Sequence, residues 1–258
     1  MRDKTAGDVD YASVGDSYSR LRRADPRIAQ RIHAALGDAR TVLNVGAGAG
    51  SYEPNDRHVI AIEPSEAMRR QRPRTLAPAI NARAESLPLD AQSVDASMAT
   101  VTVHQWRDRD AGLAELVRVT RGPIVVMAFD PAVFGSFWLA AYAPEYVAAE
   151  RARDVPMPVL TKGLSDGGRR VRISTVPVPI DCSDGFVEAY YGRPERYLDE
   201  SVTRAQSGWG FTPPGTLDRF RAALGGDLAS GEWDRKHRHW RTQPSFEGAL
   251  RLLVSEPA

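Results

Sequence analysis

Three glycines that follow a short apolar run constrain the fold of this chain more than any other feature. Residues 41–45 read Thr-Val-Leu-Asn-Val, and Gly46, Gly48 and Gly50 come directly after them. Glycine adopts backbone angles that other residues avoid, and because it has no side chain a ligand can lie against its main chain. The segment therefore predicts a buried strand that enters a tight, ligand-binding turn.

An acid at the end of the next apolar run indicates what this turn binds. Residues 58–63 read His-Val-Ile-Ala-Ile-Glu, so Glu63 ends a second predicted strand. Its distance from Gly46 is close to the spacing of about 20 residues at which a carboxylate receives the hydroxyls of a ribose. The loop and the acid together predict a ligand that contains adenosine. The pattern Gly-x-Gly-x-Gly followed by Ser51 departs from the dinucleotide pattern Gly-x-Gly-x-x-Gly.

The first half of the chain alternates helical and strand patterns, which favours parallel strands joined by helices. Beyond the two strands already named, we predict a helix over residues 27–36 and strands over residues 79–84, 95–103 and 123–129.

After Asp130 the pattern is less regular. We predict helices over residues 134–153 and 184–207, a loop over 154–168, a strand over 172–180, turns over 224–231 and a last strand over 248–254. This order predicts one nucleotide-binding α/β domain with a partial helical cap.

Composition excludes several kinds of partner. The 258 residues carry 34 Lys and Arg against 33 Asp and Glu, so there is no overall positive field to attract a nucleic acid or a membrane surface. The single cysteine, Cys182, excludes an internal disulfide and a cysteine-based zinc site. His237 and His239 are flanked by cations, so we predict no metal site.

No apolar run reaches the roughly 18 residues of a membrane span, and the first residues do not resemble a signal peptide, so we expect a cytoplasmic protein.

Five segments, in order, resemble motifs of the class I S-adenosylmethionine-dependent methyltransferases. They are residues 42–52 with the glycines, residues 62–65 with Met68, residues 84–88 (Ala-Glu-Ser-Leu-Pro), residues 93–96 (Ser-Val-Asp-Ala), and residues 115–119 in the helix before the fifth strand. The resemblance implies a Rossmann-like, doubly wound, mostly parallel sheet of seven strands whose last strand is antiparallel. It further implies a single domain: an N-terminal helical segment over the cofactor (1–40), a cofactor-binding core (41–130), cap insertions with late strands (131–247) and the last strand (248–258).

The same resemblance implies S-adenosylmethionine as cofactor and S-adenosylhomocysteine as product. Glu63 would take the ribose diol, and Glu85 would read the edge of the adenine. Asn44 departs from the acid usual two residues before the first glycine, and its amide still accepts a hydrogen bond from the methionine amino group. The predicted cofactor-binding residues are Tyr18, Asn44, Gly46, Ala47, Gly48, Glu63, Pro64, Met68, Ala84, Glu85, Thr100 and Val101.

Residues near the N-terminus resemble a segment that closes over the cofactor in this family. They are Tyr11 and Tyr18 with Arg20 and Arg23, whose Tyr hydroxyls or Arg side chains can reach the methionine carboxylate. The alternative interpretation is a charged surface helix anchored by aromatic side chains.

His104, at the end of the fourth predicted strand, is the candidate general base, because histidine titrates near neutrality. The alternative is that it only orients its loop by hydrogen bonding. The predicted substrate-binding residues are Tyr11, Trp106, Phe137, Trp138 and Tyr191, although aromatic side chains often only fill a core.

We therefore predict a methyltransferase that transfers a methyl group to O, N or C of a small molecule, without a nucleic-acid or membrane partner. Two alternatives stay open: a methyltransferase-like binding or regulatory protein without turnover, and an NAD(P)-dependent oxidoreductase.

Overall fold

A computed structural model of the chain describes residues 21–258, so the predictions for Tyr11, Tyr18 and Arg20 lie outside the described residues. The main strands are β1 (Thr41–Val45), β2 (His58–Ile62), β3 (Ala96–Thr100), β4 (Ile124–Phe129), β5 (Arg170–Thr175) and β8 (Leu250–Glu256). They form one sheet in the order β2-β1-β3-β4-β8-β5. The first four are parallel, as predicted, and β8 is antiparallel to both β4 and β5. Two short strands, β6 (Val178–Pro179) and β7 (Ser245–Phe246), pair separately.

The prediction of seven strands is wrong in its count, since the sheet has six among residues 21–258. The strand expected over residues 79–84 is reduced to one bridge between Ile80 and Ile62. The side chain of Ile80 is exposed, and no other large apolar or β-branched residue in this segment covers a face of the sheet. Strand β2 is consequently an edge of the sheet.

The α-helices of the described residues lie on both faces of the sheet and in the cap. They are α1 (Pro26–Ala35), α2 (Glu66–Arg70), α3 (Arg109–Val119), α4 (Leu139–Tyr142), α5 (Pro144–Arg153), α6 (Met157–Leu164), α7 (Glu200–Arg204), α8 (Thr216–Ser230) and α9 (Glu232–His237). The predicted helix over residues 27–36 is confirmed as α1. It begins at Asp25, whose side chain accepts the N–H of Arg27 and thereby satisfies one unpaired donor of the first turn.

Two segments that were predicted as loop or turn are helical. Residues 154–168 contain α6, because Pro156 and Pro158 lie at its N-cap and in its first turn, where a proline removes no needed N–H donor. Residues 224–230 continue α8, even though Gly225 and Gly226 have low helix propensity. Burial of Phe220 and Leu224 on the inner face of α8 outweighs that propensity.

The sheet is covered on both faces, and its strands alternate between two apolar cores. In β4, Val125 and Met127 point to one core, whereas Ile124 and Val126 point to the other. The first core is closed by α1 and the cap, and the second by α3 and α6. Burial on both faces explains why these strands are continuous apolar runs.

The cap is built around packed aromatic rings. The indole of Trp138 makes edge contacts with Tyr197 and Trp233, each with ring centroids 5.5 Å apart. Such contacts add about 0.5–1.5 kcal/mol to the apolar area that they bury. No helix within residues 21–258 is long and apolar enough to cross a lipid bilayer.

Candidate cofactor site

A cavity of about 460 Å³ opens where the parallel strands β1, β2 and β3 end. Its volume lies in the range of about 300–1,000 Å³ that is usual for small-molecule sites, and its position is where open α/β sheets bind ligands. We call it the main cavity. Its lining includes the glycine loop of residues 46–50, Glu63, Met68, Thr100, Val101, Arg22, Tyr52 and Asp184.

The glycine loop packs closely against the residues that follow β3, and its main chain lines the main cavity. Gly46 has a φ of +70°, and a Cβ added to it would lie 2.0 Å from Oγ1 of Thr102. The backbone N–H groups of Gly46 and Ala47 both donate to the carbonyl of Ile62, at 2.9 Å. Only glycine can occupy the first position of this loop, as the sequence predicted.

Glu63 is buried at the tip of β2 and is oriented by main-chain donors. Its Oε2 accepts the N–H of Gly48 at 2.8 Å, and its Oε1 accepts the N–H of Ser65 at 2.7 Å. Burial raises the pKa of the Glu63 carboxyl, while these two N–H groups favour its charged form. Each carboxylate oxygen has a second acceptor position. The arrangement suits a vicinal diol, which would donate one hydroxyl to each oxygen.

A narrow cleft of about 40 Å³ adjoins the main cavity on the other side of Glu63. The cleft is lined by Pro64, Arg83, Ala84, Glu85, Trp106 and Arg107, and both spaces share Gly46, Glu63, Thr102 and Gln105. Oε1 of Glu85 accepts the backbone N–H groups of Arg107 and Asp108 and so holds the loop that follows β3. The two spaces therefore meet at Glu63, with the cleft on the side where an adenine was predicted.

The acid missing at position 44 has a counterpart nine residues later. Asn44 is buried, and its Nδ2 donates to Oε1 of Glu53 at 3.0 Å. Glu53 is bound by both terminal nitrogens of Arg72, at 3.0 and 2.9 Å, and this ion pair is almost fully buried. Among the described residues, Oδ1 of Asn44 has no hydrogen-bond partner. Neither Glu53 nor Arg72 was predicted as part of the site.

Tyr52 follows the glycine loop in a left-handed conformation, with a φ of +65°. Its hydroxyl donates to Oδ2 of Asp184 at 2.7 Å, and Nε of Arg22 donates to Oδ1 of the same carboxylate at 2.6 Å. Burial and the Asp184 charge raise the pKa of Tyr52, so its hydroxyl is a neutral donor. Nε2 of His33 lies 2.9 Å from the carbonyl oxygen of Tyr52. The sequence held no local signal for this cluster.

The end of β3 has a second unusual backbone conformation. Val101 has a φ of +52°, which is rare for a β-branched residue, and it lines the main cavity beside Thr100. His104 lies in the short helical turn of residues 103–105 that follows β3, and its Nδ1 is 3.8 Å from Oδ1 of Asp154. It is not among the residues that line the main cavity or the cleft, whereas the adjacent Gln105 lines both. A role of His104 as general base stays a prediction.

Residues 43–123 match the methyltransferase domain family. Over these residues the chain is similar to that family, and its sheet and helices have the Rossmann-like fold of the class I methyltransferases. A protein from Anabaena variabilis, named as a methyltransferase from an antibiotic biosynthesis pathway, is 28% identical, with a TM-score of 0.85 over 93% of this chain and 100% of its own. None of the curated proteins compared matches the sequence.

Two further structures share the fold of the methyltransferase domain at lower identity. An S-adenosylmethionine-dependent methyltransferase from Thermotoga maritima is 15% identical, with a TM-score of 0.55 over 96% of this chain and 95% of its own. Geranyl diphosphate C-methyltransferase from Streptomyces coelicolor, crystallised with Mg²⁺, geranyl diphosphate and S-adenosylhomocysteine, is 15% identical, with a TM-score of 0.52 over 98% of this chain and 90% of its own.

Most residues predicted to bind the cofactor of the methyltransferase domain lie together. Gly46, Ala47, Gly48, Glu63, Met68, Thr100 and Val101 line the main cavity, and Pro64, Ala84 and Glu85 line the cleft. Asn44 lies beneath the loop, bonded to Glu53. The contacts of these residues with a cofactor stay predictions.

The predicted substrate residues are placed apart from one another. Trp106 lines the cleft and packs on Gly112 of α3, where an added Cβ would lie 2.5 Å from its ring. Phe137, Trp138 and Tyr191 are buried in the aromatic core of the cap, where Nε1 of Trp138 donates to the carbonyl of Tyr191 at 2.7 Å. Their contact with an acceptor stays a prediction.

Proposed function

We propose that the chain transfers a methyl group from S-adenosylmethionine to an O, N or C atom of a small-molecule acceptor. The observation that carries the proposal is the Glu63 carboxylate. It lies where the main cavity meets the cleft and is oriented by the N–H groups of Gly48 and Ser65. It would hold the ribose diol, with the adenine toward the cleft and Glu85.

When bound, the cofactor would supply a methyl group carried on a sulfonium, and the neutral thioether of S-adenosylhomocysteine would be the leaving group. The chain's part is to bind and orient: the glycine loop and Glu63 hold one reactant, and the end of β3 at Thr100 and Val101 lies beside it. Holding two reactants in line lowers a barrier by up to about 7–11 kcal/mol in the best cases. Orientation is therefore the main contribution that this site offers.

A small-molecule acceptor is supported by the cap. The similarity to the Anabaena variabilis protein spans nearly the whole chain, cap included, and that protein is named for an antibiotic biosynthesis pathway. A net charge of +1 offers no general attraction for a polyanionic acceptor. Trp106 lines the cleft, where we place the adenine, so in this arrangement its ring would flank the adenine.

We propose His104 as the base for acceptors that lose a proton on attack. Asp154 lies on the Nδ1 side of the ring, at 3.8 Å, and is buried. Nε2 of His104 lies 3.4 Å from Nε2 of Gln105, a residue that lines both the main cavity and the cleft, so this edge of the ring is the one nearest the site. The alternative is that His104 only orients the loop of residues 103–105.

The proposal is tested by calorimetry with S-adenosylhomocysteine and NAD⁺, together with methyl transfer from labelled S-adenosylmethionine to fractions of a cell extract. We expect the protein to bind S-adenosylhomocysteine and not NAD⁺. We expect the labelled methyl group in a small-molecule fraction of the extract. Glu63→Gln should weaken that binding at least tenfold, because a hydrogen bond to a charged group contributes about 1.5–3 kcal/mol. Glu66→Gln, an exposed neighbour paired with Arg70, is the control and should bind normally.

Each opposite result supports a different function. Binding of NAD⁺ but not of S-adenosylhomocysteine would indicate the oxidoreductase. Binding of S-adenosylhomocysteine without transfer to any fraction would indicate a binding or regulatory protein. Label in tRNA or rRNA would indicate a nucleic-acid acceptor, whose binding should weaken steeply with salt.

A further inference from the structure

The part of the main cavity that is not shared with the cleft carries charged and polar side chains. Arg22, Tyr52 and Asp184 line the main cavity and do not line the cleft. A ribose held at Glu63 with its base toward the cleft directs its 5′ substituent into the main cavity. In S-adenosylmethionine this substituent ends in a zwitterionic amino acid, so charged groups are expected there.

Asp184 joins three separate segments of the chain at this place. Its carboxylate accepts Nε–H of Arg22 at 2.6 Å and the hydroxyl of Tyr52 at 2.7 Å, and its side chain is 2% exposed. The main chain follows the same connections, since the N–H of Gly185 donates to the carbonyl of Leu21 at 2.8 Å. Asp184 thus binds the segment before α1 and the turn after the glycine loop to the cap.

The backbone at Tyr52 shows that this junction is held under strain. A non-glycine residue in the left-handed region costs about 1–3 kcal/mol and persists only where its surroundings impose it. Here Asp184 holds the hydroxyl of Tyr52, and His33 lies against its carbonyl oxygen. Val101, which also has a positive φ, lines the same cavity. Strain of this kind gathers at ligand sites.

The chemistry of Arg22 matches one end of the amino acid. A guanidinium binds a carboxylate through a planar pair of N–H donors, and its orientation decides whether both engage. Asp184 fixes the Nε side of the Arg22 group at the wall of the main cavity. A buried carboxylate in this position also balances the charge that Arg22 brings to the site.

We propose that Asp184 is a positioning residue for the amino-acid end of the cofactor, holding Arg22 and the turn at Tyr52 where the α-carboxylate binds. The inference rests on the proposed function, because it presupposes S-adenosylmethionine in the main cavity. It assigns to the cap a part in cofactor binding, in addition to any part in acceptor binding.

The test compares two ligands that differ only at that end. S-adenosylhomocysteine carries the amino acid, whereas 5′-methylthioadenosine keeps the adenosine and the sulfur without it. We expect Asp184→Asn to weaken binding of S-adenosylhomocysteine at least tenfold by calorimetry and to change binding of 5′-methylthioadenosine less than twofold. The control is Asp181→Asn in the same segment, whose exposed carboxylate pairs with Arg27 on the surface. It should bind both ligands as the wild type does.

A purely structural role would weaken both ligands equally, and that result would overturn the inference, as would unchanged binding of both. If Asp184→Asn does not fold, as judged by thermal unfolding, Arg22→Lys gives the same test, because lysine keeps the charge but lacks Nε–H and the planar donor pair. A wild-type protein that binds neither ligand would overturn the proposed function itself, and the inference with it. If the wild type binds both ligands and the variants bind them equally well, the proposed function stands and only the inference is overturned.

Discussion

The side-chain amide of Asn44 donates a hydrogen bond to the carboxylate of Glu53, with 3.0 Å between Nδ2 and Oε1. Both terminal nitrogens of Arg72 bind the same carboxylate, and the three side chains are buried together beneath the glycine loop. The negative charge that the family usually carries at position 44 is therefore present at Glu53, already balanced by one guanidinium. A second carboxylate, introduced at position 44, would face Glu53 without a second guanidinium to balance its charge.

We predict that Asn44→Asp, although it restores the residue type usual in the family, lowers the free energy of unfolding by about 1–3 kcal/mol, since repulsion of Glu53 replaces a buried hydrogen bond. Chemical denaturation at pH 7 measures the loss. In the double variant Asn44→Asp/Glu53→Gln, one carboxylate again faces one guanidinium, so the loss should be smaller than the sum of the two single losses. An Asn44→Asp protein as stable as the wild type would contradict this account of the Asn44–Glu53 pair.

Gly46→Ala should weaken cofactor binding, because its added Cβ would collide with Thr102. Gly37→Ala is the control, because it introduces the same backbone strain without the collision. Gly46 and Gly37 both have positive φ, at +70° and +58°, but an added Cβ meets Thr102 at Gly46 and nothing within 4 Å at Gly37. Gly37→Ala should cost about 1–2 kcal/mol of stability and leave binding of S-adenosylhomocysteine unchanged. Gly46→Ala should weaken that binding more than tenfold. Equal binding by the two variants would show that the close packing of the loop on Thr102 is unimportant.

His104→Ala should reduce turnover by about 10²–10⁴ if the imidazole removes a proton from the acceptor, while binding of S-adenosylhomocysteine changes less than twofold. Steady-state rates and calorimetry on the same preparation measure the two effects separately. His58→Ala, at an exposed position at the start of β2, is the control and should keep full activity. A loss of less than about tenfold in His104→Ala would exclude the base and leave the loop-orienting role.

Glu188 should make the folded state less stable as pH rises. Burial raises the pKa of its carboxyl from 4.5 to about 7, against the opposing effects of the Ala249 and Leu250 backbone N–H groups and of Arg251. A carboxyl whose pKa is higher in the folded state contributes most below pH 4.5, and this contribution is lost as pH rises through 7. The expected loss is about 3 kcal/mol at 1.36 kcal/mol per pKa unit.

Glu188→Gln removes the titrating group, so its free energy of unfolding should fall less between pH 5 and pH 8 than that of the wild type. Denaturation curves at the two pH values measure the difference. Glu200→Gln, an exposed acid paired with Arg204 on α7, is the control and should keep the wild-type pH dependence. Parallel pH profiles for Glu188→Gln and the wild type would mean that Glu188 does not titrate in this range.

The parts of the site that the sequence predicted are those with local signals. Glycines after an apolar run, and an acid at the end of the next run, follow from strand periodicity and from the backbone freedom of Gly46. The contact of Tyr52 with Asp184 joins residues 132 positions apart, and no local pattern reports it. The loop predicted over residues 154–168 is wrong, because Pro156 and Pro158 begin α6 there. The turns predicted over residues 224–231 are also wrong, because burial of Phe220 and Leu224 holds that segment in α8 despite Gly225 and Gly226.

The place of β8 in the sheet determines the order in which the fold can be completed. Among the strands of residues 21–258 it is the last to leave the ribosome, yet it lies between β4 and β5 and is the sole sheet neighbour of β5 within these residues. Until residues 250–256 emerge, β4 presents an open edge and β5 has no partner in the sheet. A nascent chain therefore carries the open edge of β4 from residue 130 onward, and the unpaired β5 as well once residue 175 has been made, until β8 emerges. Unpaired strands of this kind are the places at which a nascent chain associates with other chains.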